Sequence, residues 1–143
     1  MANWTYEKGW YDIGQGTHAW LQPDGSWGWN NAGLIADGGE ALLVDTLFDL
    51  AQTRLMLKAM QKVIPAAQPV KTVVNTHANG DHCWGNQLVA GAEIIASEKG
   101  ALEMADFKPE MMAKLMKVAR VLVAMGKGGE VLGWAFGALG VTK

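Results

Sequence analysis

The stretch Thr76-His77-Ala78-Asn79-Gly80-Asp81-His82 gathers two imidazoles, a carboxylate and a carboxamide into one short run of chain. Neutral imidazole nitrogens and carboxylate oxygens are ligands that suit zinc, iron and manganese, and residues this close on an irregular loop can converge on one or two ions. His77, Asp81 and His82 are therefore the candidate metal ligands. A helix would turn His82 about 100° away from Asp81, so a loop is expected, with Gly80 freeing the backbone to bend. The alternative is a polar loop whose side chains cap the helix that follows.

The flanking segments must position this loop. Val70-Lys71-Thr72-Val73-Val74-Asn75 is β-branched and predicts a buried strand ending at the polar cluster, the place where open α/β sheets put their ligands. Residues 31–36 and 40–45 read as two strands joined by the turn Asp37-Gly38-Gly39. Asp49 is a cap for a helix over 50–64, in which Met56, Met60 and Val63 follow helical spacing, and Pro65 and Pro69 punctuate the return to the sheet. A short helix is expected over 83–88, a strand over 93–96, and a helix over 98–105 capped by Ser97. The order predicts a layered α/β domain with a mixed sheet and helices on one face.

At these residues the chain resembles the metallo-β-lactamase superfamily, whose metal loop reads His-x-His-x-Asp-His after a buried strand. His77, Asp81 and His82 match that pattern, and Asn79 stands where the family has its second histidine. Asp45-Thr46 is close to a strand-end pair frequent in the superfamily. The resemblance covers 10–105 and implies the N-terminal half of an αβ/βα sandwich. It implies that His77 belongs to a first metal site, and Asp81 with His82 to a second. Zinc is the expected ion, one or two per completed site, with iron or manganese as alternatives. Asp81 would also act catalytically by orienting water. Asn79 is a poor zinc ligand beside imidazole but can orient a water or a substrate carbonyl.

At 143 residues and 15.4 kDa the chain is expected to form a single domain, 1–143, and its 50% hydrophobic composition suffices for a core. That is short for the superfamily, whose second half supplies further ligands. Of the 3 histidines, the remaining one, His18, lies far upstream in a strand-like segment and is not assigned to the site. The expectation is a truncated domain, or a homodimer pairing two halves. Cys83 is the sole cysteine, so no intramolecular disulfide forms, and it reads as a small buried residue.

Pro109 opens a predicted helix to Met125, apolar on more than one face, and a further apolar stretch follows over 130–140. Residues 106–143 thus read as a tail acting as a lid or an interface. Trp27 and Trp29 sit in a turn-rich loop and are candidates for a substrate loop, or for edge-strand packing. The tail and the tryptophans favour a small-molecule substrate of hydrophobic acyl type. A net charge of −2 argues against nucleic acid. No stretch reaches the roughly twenty apolar residues of a membrane span, membrane contact is not expected, and the absence of a recognisable leader predicts a cytoplasmic protein. The functional expectation is a metallo-hydrolase cleaving an ester, thioester, lactone or amide; the alternative is an inactive binding or structural module.

Overall fold

The computed structural model describes residues 5–23, 28–67, 69–106 and 109–124. Six strands form one sheet in sequence order: β1 (Gly9–Gly14), β2 (Thr17–Leu21), β3 (Ala32–Asp37), β4 (Glu40–Val44), β5 (Thr72–Val74) and β6 (Glu93–Ile95). The first four are antiparallel neighbours, whereas β4, β5 and β6 run parallel. β1, which pairs with β2, is an element the sequence reading did not include.

The crossover from β4 to β5 is α1 (Leu50–Val63), opened by Asp49, whose carboxylate accepts the Gln52 N–H at 2.7 Å. Thr53, Met56 and Met60 are its buried residues and meet the core face of the sheet, where Leu34, Leu43 and Val73 are fully covered. Such spacing lays one helix stripe on the sheet. Val63 departs from the expected stripe and is exposed, because the helix ends there and the chain turns at Ile64 (φ −134°, ψ 68°), which is buried instead.

The opposite face of the sheet is different. Ile35 pairs with Leu42, Val44 with Val74, and Val74 with Ile95, so these side chains share that face. Ile35 and Ile95 are exposed there, and Leu42, Val44 and Val74 are only half-buried. The chain thus presents a mixed sheet whose core lies on its α1 side.

After β5 the chain runs through an irregular segment into α2 (Gly80–Cys83), a single 3₁₀ turn at Asn86–Val89, and β6. α3 (Glu98–Asp106) follows, with the Ser97 hydroxyl 3.1 Å from the Gly100 N–H that it accepts. α4 (Pro109–Ala124) starts at the expected proline. The expectations for the tail beyond residue 124 and for Trp27 fall outside the described residues. Among the described residues no helix is long and apolar enough to cross a membrane.

Candidate metal centre

The polar cluster sits where β4 and β5 end side by side. Asp45 follows β4 with φ 63°, a left-handed backbone uncommon outside glycine. That conformation swings its carboxylate towards the end of β5, and the residue is only 4% exposed. Its Oδ1 accepts the Thr76 N–H at 2.8 Å, and its Oδ2 accepts the Thr76 hydroxyl, also at 2.8 Å. Oδ2 further lies 2.8 Å from His82 Nδ1. A buried carboxylate needs several donors to offset its lost hydration, and these three supply them.

The His82 backbone is fixed independently. Its carbonyl accepts the Thr46 N–H at 2.9 Å and the Asn75 amide at 2.8 Å. Asn75 Oδ1 in turn accepts from Asn86 at 2.7 Å, and Asn86 Oδ1 accepts the Thr46 hydroxyl at 2.9 Å. This chain of bonds ties the strand end, α2 and the 3₁₀ turn into one unit around His82.

Asp81 and His82 occupy the first turn of α2 rather than the loop expected for them. Only His77, Ala78 and Asn79 of the motif precede the helix. The arrangement still brings the predicted ligands together: His82 Nε2 lies 3.3 Å from Asp81 Oδ2, and the His77 and His82 rings have centroids 3.9 Å apart. Asn79 is the helix cap by position, yet its side chain makes no capping bond. Gly80 serves close approach rather than unusual backbone freedom. A Cβ there would meet the Trp84 ring at 2.5 Å. Trp84 packs in turn on Phe48, with centroids 5.2 Å apart.

The donor set suits a divalent ion in part. Each histidine has Nδ1 engaged, His82 on Asp45 and His77 2.9 Å from the Thr76 hydroxyl, which leaves Nε2 on the ligand side of each ring, that of His82 facing Asp81 Oδ2 at 3.3 Å. Backing of a ligating imidazole by a carboxylate is the usual outer-shell arrangement of protein metal sites. The set is incomplete, since no group of three His, Cys, Asp or Glu among the described residues already encloses one point. Cys83 does not add to it: its Sγ is 3.4 Å from the carbonyls of Ala78 and Asn79, and burial, helped by the charges of Asp45 and Asp81, pushes its pKa up to about 11.

A cavity of about 440 Å³ opens beside the cluster, with Asn79, Asp81, Phe48, Trp84, Glu103 and Met112 on its wall. Gly28 also lines it, whereas Trp29 is half-buried under Lys8, whose Nζ lies 4.5 Å from the ring centroid. His18 sits on β2, separated from β5 by two intervening strands. Sequence reasoning had noted Asp45-Thr46 only as a strand-end pair and had not included Thr76, Asn75, Asn86 or Phe48 in the site. Their partners lie up to 40 residues away, and no local spacing encodes such contacts.

Comparison with known proteins agrees with this geometry. No curated protein sequence matches the chain. Among solved structures it is similar to a metallo-beta-lactamase from Hirschia baltica, at 25% identity and TM-score 0.54 over 68% of this chain and 46% of that one. It is also similar in fold to the metallo-beta-lactamase FIM-1 of Pseudomonas aeruginosa in its mono-zinc form (21% identity, TM-score 0.51, 70% of this chain and 48% of that one). A metallo-beta-lactamase from Erythrobacter litoralis, with beta mercaptoethanol in its active site, gives 24% identity and TM-score 0.50 over 68% and 44%. The chain spans less than half the length of each of these structures. The family model for the metallo-beta-lactamase superfamily matches residues 26–141, past the Ala105 at which the sequence resemblance was drawn. With four-fifths of its length inside that match and the superfamily's ligand pattern at the ends of β4 and β5, the chain belongs to the metallo-beta-lactamase superfamily.

Proposed function

We propose that this chain carries half the active site of a metal-dependent hydrolase acting on an ester, thioester, lactone or amide with an apolar acyl portion. The observation that carries the reading is the pairing of His77 and His82, each with Nδ1 engaged, beside Asp81 at the wall of a cavity that Phe48, Trp84 and Met112 also line. His77, Asp81 and His82 would hold the ion, zinc being favoured by the imidazole-rich set and by the mono-zinc form of one relative. A bound divalent ion supplies Lewis acidity and activates water near neutral pH.

The chain's own residues do the rest. Asp81, on the cavity wall, orients water by accepting its hydrogen bond, and the Asn79 carboxamide, which makes no capping bond to α2, donates to a substrate carbonyl. Phe48, Trp84 and Met112 receive the apolar acyl group and exclude water from it.

Completion of the ligand set falls to residues beyond those described. We assign it to a second copy of the chain, which would also cover the apolar sheet face bearing Ile35, Leu42, Val44, Val74 and Ile95. A cytoplasmic location is part of this reading. Light scattering should then show a dimer at micromolar concentration, and a stable monomer would contradict the assignment.

A second reading, a non-catalytic binding module, draws support from Asn79 in the second histidine position and from the incomplete ligand set. Assaying zinc-loaded protein against thioester and lactone panels separates the two. Turnover that His82→Ala abolishes supports the hydrolase; its absence in a protein that holds zinc supports the module.

A further inference from the structure

Thr76 stands between Asp45 and the first histidine of the motif. Its Oγ1 lies 2.8 Å from Asp45 Oδ2 and 2.9 Å from His77 Nδ1. Its backbone N–H, 2.8 Å from Asp45 Oδ1, keeps the hydroxyl in register with the carboxylate. A threonine hydroxyl has one proton and two lone pairs, and a carboxylate only accepts. The proton therefore goes to Asp45, and a lone pair faces His77 Nδ1. A neutral imidazole completes that contact only by carrying its own proton on Nδ1, which leaves the lone pair on Nε2. His82 meets the same carboxylate directly, its Nδ1 facing Asp45 Oδ2 at 2.8 Å, while its Nε2 lies 3.3 Å from Asp81 Oδ2.

We propose that Thr76 is a positioning residue that relays Asp45 to His77, so that the buried carboxylate that holds His82 by direct contact also sets the tautomer of His77. His82 is oriented by contact and His77 through the Thr76 hydroxyl, which leaves the His77 lone pair on Nε2 for a divalent cation. The relevance to metal rests on the function proposed above; the His77 tautomer itself does not depend on it. Serine can perform the relay, since it keeps the hydroxyl. Valine has nearly the same shape and cannot.

The test uses the metal-free, ¹⁵N-labelled chain at a pH where its imidazoles are neutral, with two-bond proton–nitrogen correlations reading which ring nitrogen is protonated. Wild type and Thr76→Ser are expected to show Nδ1–H at His77. Thr76→Val is expected to move His77 to Nε2–H or to a mixture, while His82, which Thr76 does not contact, keeps its wild-type pattern. Zinc affinity, from competition with a chromophoric chelator, should fall about tenfold or more in Thr76→Val and recover in Thr76→Ser. Nε2–H at His77 in the wild type overturns the relay, as does a folded Thr76→Val that keeps Nδ1–H. If the valine variant does not fold, the wild-type and serine tautomers decide alone. Wild-type chain with Nδ1–H at His77 but no zinc binding would sustain the relay and overturn the metal reading, so the two fail separately.

Discussion

Asp45 Oδ2 and His82 Nδ1 lie 2.8 Å apart across 37 residues of sequence, joining the end of β4 to the first turn of α2. The contact depends on the left-handed backbone at Asp45, which asparagine also tolerates. Asp45→Asn is therefore expected to fold while losing the charged acceptor, lowering zinc affinity about 10–100-fold. Asp45→Ala should fare worse, because it strains the backbone and leaves buried donors unpaired at about 1–3 kcal/mol each. Chelator competition and thermal unfolding of the two variants check this, and equal affinities for wild type and Asp45→Asn would refute it.

Close approach at two glycines makes a second prediction. A Cβ at Gly85 would lie 2.1 Å from Thr53 Oγ1, inside the fully buried contact with α1, and one at Gly80 would meet the Trp84 ring. Each Ala variant should lose about 1–3 kcal/mol in urea unfolding, as overpacked cores do. Gly80→Ala should also disturb the metal loop, whereas the loss in Gly85→Ala should fall on stability.

The Cys83 thiol is buried, and its pKa is pushed up to about 11 from the ordinary 9.0. The sign follows directly: the folded chain holds this proton more tightly, so the contribution is full below pH 9.0 and is lost as pH rises towards 11. Native protein at pH 8 should react with iodoacetamide far more slowly than urea-unfolded protein. Equal rates would place the thiol at the surface.

Much of this architecture was readable beforehand. Asp49, Pro109 and Ser97 marked helix starts that the structure places at or beside them, and the β-branched run before Thr76 became β5. Strand and helix signals are local, so residue type and period reveal them. The motif's ligand types were legible for the same reason. What escaped were relations set by tertiary contact: Asp45 reaching His82, Asn86 reaching Thr46 and Asn75, and Phe48 packing on Trp84. The placement of Asp81 and His82 on α2 also escaped, because Gly80 reads as a loop residue until the ring of Trp84 is known to lie against it.

Substrate choice offers a fourth prediction. Met112 comes from α4 and meets the same cavity as Asp81 and Phe48. Met112→Ala should raise KM for long apolar acyl thioesters by about tenfold, consistent with losing one buried side chain, and leave short-chain substrates and zinc content unchanged. A uniform loss across chain lengths would remove Met112 from the substrate site.

The central claim is that His77, Asp81 and His82 hold a divalent ion. Zinc content of the reconstituted chain, measured by elemental analysis after exhaustive dialysis, tests it most directly. About one equivalent or more per chain is expected, with most of it lost in His77→Ala, Asp81→Ala and His82→Ala variants that remain folded. Less than about a tenth of an equivalent in the wild type, or full content in all three variants, would contradict it.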